Sequence, residues 1–109
     1  MQQISPAQVA EWASQQAQQP VLLDVREGWE VQTACARPEG LAFVHMPMQT
    51  VPARLHELDR NRPIACLCHH GGRSMQVAHF LAGHGYDVVN VAGGIHAWSA
   101  QVDASVPVY

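Results

Sequence analysis

The most informative stretch of this chain reads Ile64-Ala65-Cys66-Leu67-Cys68-His69-His70-Gly71-Gly72-Arg73-Ser74, from residue 64 to residue 74. Its first five residues form a short apolar run, typical of a strand that is buried on both faces. A loop with two adjacent glycines follows, and the residues from 74 to 82 predict a helix. Strand, glycine-containing loop and helix in this order indicate one unit of a parallel α/β sheet.

The same alternation of strands and helices extends through the rest of the chain. A first helix is predicted to begin at Pro6, with Ser5 as its cap and Gln8 completing a capping box, and to end before Pro20. Further strands are predicted at 21–25, 43–46 and 88–91, and further helices at 51–58 and 95–100. Residues 26–40 contain several helix breakers and are predicted to be irregular. The pattern predicts an α/β fold with a central, mostly parallel sheet flanked by helices on both faces.

Length and composition limit the classes of function. The chain has 109 residues, 48% of them hydrophobic, which predicts one domain spanning residues 1–109. Its net charge is −3, so no basic surface for nucleic acid is expected, and all six basic residues are Arg, which excludes lysine Schiff-base chemistry. No apolar run approaches the roughly 20 residues of a membrane span, and no signal peptide is recognisable. A cytoplasmic protein without a membrane partner is therefore expected.

The three cysteines are Cys35, Cys66 and Cys68. An odd number without a secretion signal argues against a disulfide framework, and one residue between Cys66 and Cys68 excludes a C-x-x-C redox pair. Alternation along the strand predicts that Cys66 lies in the core. Packing is also expected for Cys35, although its loop could approach the site and a resolving role stays open.

Cys68 has the position of a nucleophile. In parallel α/β sheets ligands bind at the carboxyl ends of the strands, where Cys68 lies. The helix that follows and Arg73 both favour the thiolate, which is the nucleophilic form. Gly71 and Gly72 allow the backbone N–H groups to surround the sulfur as an anion cradle. The alternative is a buried and inert thiol, the usual state of a lone cysteine.

Three motifs together resemble the rhodanese-like sulfurtransferases in their single-domain bacterial form. The segment from Cys68 to Ser74 resembles the active-site loop of that family, the segment 22–27 its first diagnostic strand, and the segment 93–98 its closing turn and helix. The resemblance covers essentially the whole chain. It implies that Cys68 attacks the sulfane sulfur of thiosulfate or of a persulfide donor, becomes a persulfide, and passes the sulfur to a thiol or to cyanide. No metal or organic cofactor is implied.

The resemblance also implies a substrate-binding role for the rest of the loop, namely His69, His70, Gly71, Gly72, Arg73 and Ser74. We expect Arg73 both to hold the loop and to attract anionic donors. His69 and His70 could equally be solvated loop residues or bind donor oxygens. Ser74 could cap the helix or donate to the persulfide, and capping is the expectation.

Several alternatives use the same cysteine. The chain could be a sulfur carrier or redox-sensing module that accepts sulfur from a partner protein. Related phosphatases and arsenate reductases place five residues between Cys and Arg, whereas this loop has four. The phosphatases also place a His directly before the Cys, where this chain has Leu67. A catalytically dead interaction domain is disfavoured by the intact Cys68. A metal site formed by Cys66, Cys68, His69 and His70 fits no usual zinc spacing.

Some residues outside the loop are given structural roles or none. Asp24 and Arg26 are expected to form a structural salt bridge or loop anchor. Packing is expected for Trp12, Trp29 and Trp98, and no role is assigned to His45, His56, His79, His84 and His96. The segment 37–42 departs from the family's usual pattern and keeps only Gly40, so it could line the mouth of the site and change the donor preference.

Overall fold

Five parallel strands form one sheet in the computed structural model, which describes residues 1–109. They are β1 (Gln3–Ile4), β2 (Val21–Asp24), β3 (Ala42–His45), β4 (Ile64–Leu67) and β5 (Val88–Val91). Their order across the sheet is β1-β5-β4-β2-β3, and each neighbouring pair is parallel. The predicted α/β fold is therefore confirmed, with a sheet that is entirely parallel.

Five helices connect and cover the strands. They are α1 (Pro6–Ser14), α2 (Gly28–Thr33), α3 (Val51–Arg54), α4 (Gly72–Gly83) and α5 (Gly94–Gln101). The helix predicted over 51–58 is shorter than expected, because a 3-10 turn at Leu55–Glu57 follows α3. None of these helices has both the length and the apolar character needed to cross a membrane.

Apolar side chains cover the sheet on both faces. On one face, α3 and α4 contribute Val51, Val77 and Leu81 to a core that also contains Cys66 and Cys68. On the opposite face, α1 and α5 contribute Val9, Ile95 and Trp98 to a second core. Because alternate residues of a strand point to opposite faces, β4 supplies both cores, as expected for a strand buried on both sides.

The functional end of the fold lies between β2 and β4, which are neighbours at the centre of the sheet. From β2 the chain passes to β3 on one side, and from β4 it passes to β5 on the other. Such a reversal opens a crevice at the carboxyl ends of the strands, where open α/β sheets bind their ligands. Cys68 directly follows β4 in this position.

Two elements were not predicted. The segment 26–40, predicted to be irregular, contains α2. This helix is only six residues long, which leaves too few turns for a hydrophobic period, and it begins with Gly28. Two glutamates three residues apart nevertheless mark its start, since the Glu27 N–H donates to Glu30 Oε1 at 3.0 Å. The strand β1 has two residues and exists through its pairing with β5.

Candidate active site

The Cys68 side chain lies beneath the loop that follows β4 and is almost fully buried, with 1% of the residue exposed. The backbone N–H of Gly71 donates to Cys68 Sγ at 3.1 Å. Gly71 has φ +108° and stands directly before the first residue of α4. A backbone donor and the positive end of a helix therefore face the sulfur together, an arrangement that supports an anionic sulfur species.

The loop backbone is attached to β5 through a pair of buried polar side chains. Ser74 Oγ donates to Asn90 Oδ1 at 2.6 Å, and Asn90 Nδ2 donates to the Gly71 carbonyl oxygen at 3.2 Å. Both side chains belong to fully buried residues. The expectation that Ser74 caps α4 is wrong, because Gly71 occupies the cap position and Ser74 lies inside the first turn. Ser74 instead holds the loop against the sheet.

The first turn of α5 holds the loop from the opposite side. Its N–H groups at Ile95 and His96 donate to the carbonyl oxygens of Cys68, at 2.9 Å, and His69, at 3.1 Å. This approach requires glycine at position 94, where φ is +61° and a Cβ atom would clash with the Cys68 carbonyl oxygen and lie 2.5 Å from that of His69. The turn before α5 is therefore shaped to the backbone of Cys68 and His69.

Arg73 is part of a network of charges and hydrogen bonds. Its guanidinium donates to both carboxylate oxygens of Glu30, at 2.7 and 2.8 Å, and this interaction holds the pKa of Glu30 at about 2, below its ordinary value of 4.5. The Tyr109 hydroxyl donates to Glu30 at 2.8 Å and accepts from Arg26 at 3.0 Å. Arg26 in turn pairs with Asp24 inside the protein, where both side chains are completely buried. The expected loop anchor at Asp24 and Arg26 is thus confirmed.

Both terminal nitrogens of Arg73 are engaged by Glu30. Arg73 was predicted to hold the loop, and its pairing with Glu30 gives that role a structural basis. Attraction of anionic donors rests on the remaining exposure of the side chain, of which 34% is accessible. The partner in α2 was not predicted from the sequence; the available signal was the acidic residue Glu30, three positions beyond the family-like segment 22–27.

The two histidines of the loop have different environments. His69 is half-buried and its ring stacks on that of Tyr109, with centroids 3.8 Å apart and planes 4° from parallel. His70 is exposed, 3.9 Å from His69 by ring centroids and 5.0 Å from His96. Burial lowers the pKa of His69. The loop thus meets a third histidine, His96, to which the sequence analysis assigned no role.

The remaining cysteines, Cys66 and Cys35, have different surroundings. Cys66 is fully buried in the core on the same face of β4 as Cys68, as predicted, and burial raises the pKa of its thiol. Cys35 lies beside Arg37, whose Nε is 3.4 Å from the Cys35 sulfur and whose guanidinium covers the ring of Phe43 at 4.5 Å. All three thiols are free.

Two expectations are corrected by the structure. Trp29 is not a packing residue, since 63% of it is exposed, and its ring meets Tyr109 edge-on at 6.0 Å. The segment 37–42 leads into the first residue of β3, Ala42, which pairs with the first residue of β2, Val21. This segment therefore reaches the amino-terminal edge of the parallel sheet, opposite to the edge where Cys68 lies. Its unusual sequence does not line the mouth of the site.

The surface grooves of the protein include no residue of the loop from 68 to 74. The most apolar groove lies between the turn at Met48 and helix α4, and is lined by Met48, Val51, Pro52, Gln76, Val77 and Phe80. At the candidate site the Cys68 sulfur meets one backbone donor, the Gly71 N–H, beneath the loop.

Comparisons with known proteins agree with this geometry. The Rhodanese-like domain family matches residues 5–101. The Bacillus subtilis protein named "Putative sulfurtransferase YtwF" is 37% identical over 82 residues, which are 73% of this chain and 74% of that protein. The crystal structure of a rhodanese-like domain protein from Staphylococcus aureus superimposes with a TM-score of 0.78 and 28% identity, covering 100% of this chain and 99% of that one.

A further structural relative is part of a larger protein. The NAD-dependent persulfide reductase from A. fulgidus matches with a TM-score of 0.70 and 26% identity, over 90% of this chain but 16% of that one. The family match spans nearly the whole chain and includes the loop around Cys68. The chain therefore belongs to the family of rhodanese-like sulfurtransferase domains.

Proposed function

We propose that this protein transfers a sulfane sulfur from thiosulfate or a persulfide donor to a thiophilic acceptor through a persulfide on Cys68. The observation that carries the proposal is the Gly71 N–H, which points at Cys68 Sγ from 3.1 Å at the head of α4. A backbone donor in this position can stabilise negative charge on the reactive sulfur without any cofactor. The three free thiols are consistent with a reducing compartment such as the cytoplasm.

The reaction consists of two nucleophilic displacements. In the first, the Cys68 thiolate attacks the outer sulfur of thiosulfate, a new S–S bond forms, and the S–S bond of the donor breaks as sulfite leaves with the electron pair. In the second, an acceptor thiolate or cyanide attacks the outer sulfur of the Cys68 persulfide. The S–S bond to Cys68 breaks and the thiolate is restored. Sulfur is transferred without a net oxidant or reductant, and ping-pong kinetics follow.

The burial of Cys68 favours a slim donor. With only 1% of the residue exposed, the donor's terminal sulfur has to enter the loop to reach the thiol. The rest of the loop would then surround the transferred atom, with His69, His70 and Gly72 at its rim. Gly71 supplies the N–H, while Arg73 and Ser74 fix the shape of the loop.

Phosphatase or arsenate reductase chemistry is less compatible with this site. A tetrahedral oxyanion would need several free donors, and a guanidinium fork is the usual ligand for such groups. Here both terminal nitrogens of Arg73 are bound to Glu30. The loop also has only four residues between Cys68 and Arg73. Both features favour transfer of a single sulfur atom.

A second candidate function is that of a sulfur carrier that exchanges sulfur with a partner protein. It is favoured by the exposed Trp29, which lies beside Tyr109 at the rim of the site, because exposed aromatic side chains commonly serve protein recognition. The persulfide reductase from A. fulgidus includes a domain of this fold within a longer chain. In such a role the same Cys68 persulfide would be loaded from a protein and not from free thiosulfate.

The intact mass of the protein after incubation with thiosulfate tests the proposal. Wild type and the matched control Cys35→Ser should each gain one sulfur atom, which cyanide or a thiol removes, whereas Cys68→Ser should gain none. Loading by a low-molecular-weight persulfide but not by thiosulfate would favour the carrier role. A sulfur atom gained equally by Cys68→Ser, or by no variant with any donor, would contradict the proposal.

A further inference from the structure

Three histidines converge at the mouth of the loop, although one of them is distant in the sequence. His69 and His70 follow the nucleophile, and His96 lies in the first turn of α5. One ring nitrogen from each can be chosen so that all three lie within 4.8 Å of one another. The backbone explains the convergence, because the His96 N–H donates to the His69 carbonyl oxygen at 3.1 Å.

The three rings differ in their freedom to move. His69 is held by stacking on Tyr109, with ring centroids 3.8 Å apart. His70 and His96 are exposed and approach each other only loosely, with ring centroids 5.0 Å apart and planes inclined by 45°. One ring of the cluster is therefore pre-positioned, and the other two can rotate about their side-chain torsions to meet a ligand.

A buried atom in this cluster has no hydrogen-bond partner. His69 Nε2 is inaccessible to solvent and accepts or donates no hydrogen bond within the protein. Buried polar atoms without a partner are rare in folded proteins, because each costs free energy that a bond would recover. The orphaned nitrogen is an independent indication that a group from outside the chain completes the cluster.

We propose that His69, His70 and His96 form a binding site for a transition-metal ion of the Zn²⁺ class. Neutral imidazole nitrogens are favoured ligands of zinc, copper and nickel, whereas magnesium and calcium require oxygen ligands. At Zn–N distances of about 2.0–2.1 Å, a tetrahedral ion holds its nitrogen ligands about 3.3 Å apart. The ring nitrogens lie within 4.8 Å of one another, so the two exposed rings have to turn inward to bind the ion at this spacing.

The positive charge of Arg73, which belongs to the same loop, is offset by its pairing with Glu30 at 2.7 Å. Three protein ligands leave one position of a tetrahedral ion open, as in catalytic zinc sites. That position is available to water or to a sulfur-containing molecule approaching the loop.

This ligand set differs from the metal site that the sequence made conceivable. The pairing of Cys66 and Cys68 with the two loop histidines fits no zinc spacing, and in the structure Cys66 is sealed inside the core. The cluster described here replaces both thiols with His96, a residue about a quarter of the chain away. The hydrogen bonds between the first turn of α5 and the loop backbone bring His96 close to His69 and His70.

A bound ion would join the loop to α5 directly beside Cys68. Resting on the proposed function of Cys68, this position predicts that Zn²⁺ slows sulfur loading, because the ion stands at the mouth through which the donor enters and stiffens the loop. Metal binding itself does not depend on the thiol. The two properties can therefore be measured separately.

The binding experiment uses metal-free Cys68→Ser protein, so that the reactive thiol cannot contribute. Titration calorimetry with Zn²⁺ should show one ion per chain, and Co²⁺ should give the visible bands of a tetrahedral complex. Adding His96→Ala or His70→Ala, both at exposed positions, should weaken Zn²⁺ binding about 100-fold or more, since loss of an outer-shell group alone costs about 10–100-fold. His79→Ala, an exposed histidine of α4, is the matched control.

Equal loss of affinity in the His79→Ala control, or unchanged affinity in His96→Ala and His70→Ala, would overturn the metal site and indicate adventitious binding to surface histidines. In the second arm, Zn²⁺ should slow sulfur loading of the wild type but not of His96→Ala. Slowing that is equal in both proteins would overturn the effect on loading. If no donor loads Cys68 at all, the proposed function fails, while the calorimetry still decides whether the metal site exists.

Discussion

The Arg73 guanidinium and the Glu30 carboxylate meet end-on, with Nη1–Oε1 at 2.7 Å and Nη2–Oε2 at 2.8 Å. The pair joins the end of the loop after β4 to helix α2, which follows the neighbouring strand β2. It therefore connects the segments that follow two neighbouring strands of the sheet, β2 and β4. Two-point pairing of this kind fixes the plane of the guanidinium as well as its position.

Replacement of Glu30 by Gln should loosen the loop. The buried Glu30 side chain would keep its shape but lose its charge, so we expect a loss of about 1.5–3 kcal/mol in the free energy of unfolding, the range for hydrogen bonds to charged groups. Sulfur loading of Cys68 should slow in parallel. Urea unfolding and the mass assay measure both. The control is Glu57→Gln, which breaks the exposed pair with Arg54 and should change stability little. Equal effects of the two substitutions would contradict the role given to Glu30.

The pH dependence of stability should carry the signature of the same carboxylate. The pKa of Glu30 in the folded protein is about 2, below its ordinary value of 4.5, because Arg73 and Tyr109 donate to the ionised form. Its contribution is therefore fully present above pH 4.5 and is lost as the pH falls from 4.5 towards 2. Unfolding free energies of wild type and Glu30→Gln, measured across this range, should converge as the pH falls. A constant difference would show that Glu30 does not titrate in this way.

Alanine at position 94 should damage the site through the backbone. The added Cβ would press on the carbonyl oxygens of Cys68 and His69, and the φ of +61° disfavours any side chain, at a cost of about 1–2 kcal/mol before the clash is counted. We expect a lower melting temperature and strongly reduced sulfur loading. Gly83→Ala in α4 is the control, since its Cβ would meet nothing within 4 Å and alanine favours a helix. Normal loading by Gly94→Ala would show that α5 does not shape the loop.

Removal of the Ser74 hydroxyl should separate stability from reactivity. Ser74→Ala leaves the buried Asn90 Oδ1 without its donor, which should cost about 1–3 kcal/mol of stability. Because Asn90 also holds the Gly71 carbonyl, loading of Cys68 should slow as well. Ser99→Ala, which loses a buried bond to the Val106 carbonyl, should reduce stability without slowing the loading. If both variants load sulfur at the wild-type rate, the anchoring role of Ser74 is wrong.

Local patterns predicted most of the elements but missed those that depend on partners. The apolar runs at β2, β4 and β5 are strong signals, because a strand buried on both faces has to be apolar throughout. Helix α2 has only six residues and is stabilised by what it touches, notably the bonds of Arg26 to the Glu30 and Ala34 carbonyl oxygens. No periodicity in residues 26–40 reveals such contacts. Trp29 was mistaken for a packing residue for the same reason.

The sequence by itself determined the parallel α/β fold and the position of Cys68 at the end of a central strand, because strand burial and loop chemistry are written in neighbouring residues. Tertiary structure alone decided the partner of Arg73, the attachment of Ser74 to Asn90, and the approach of His96 to His69 and His70. These relationships join residues that are 16 to 43 positions apart in the sequence, from the bond between Ser74 and Asn90 to the bond between Arg73 and Glu30. Their geometry depends on how strands and helices pack, which no local pattern of residues encodes.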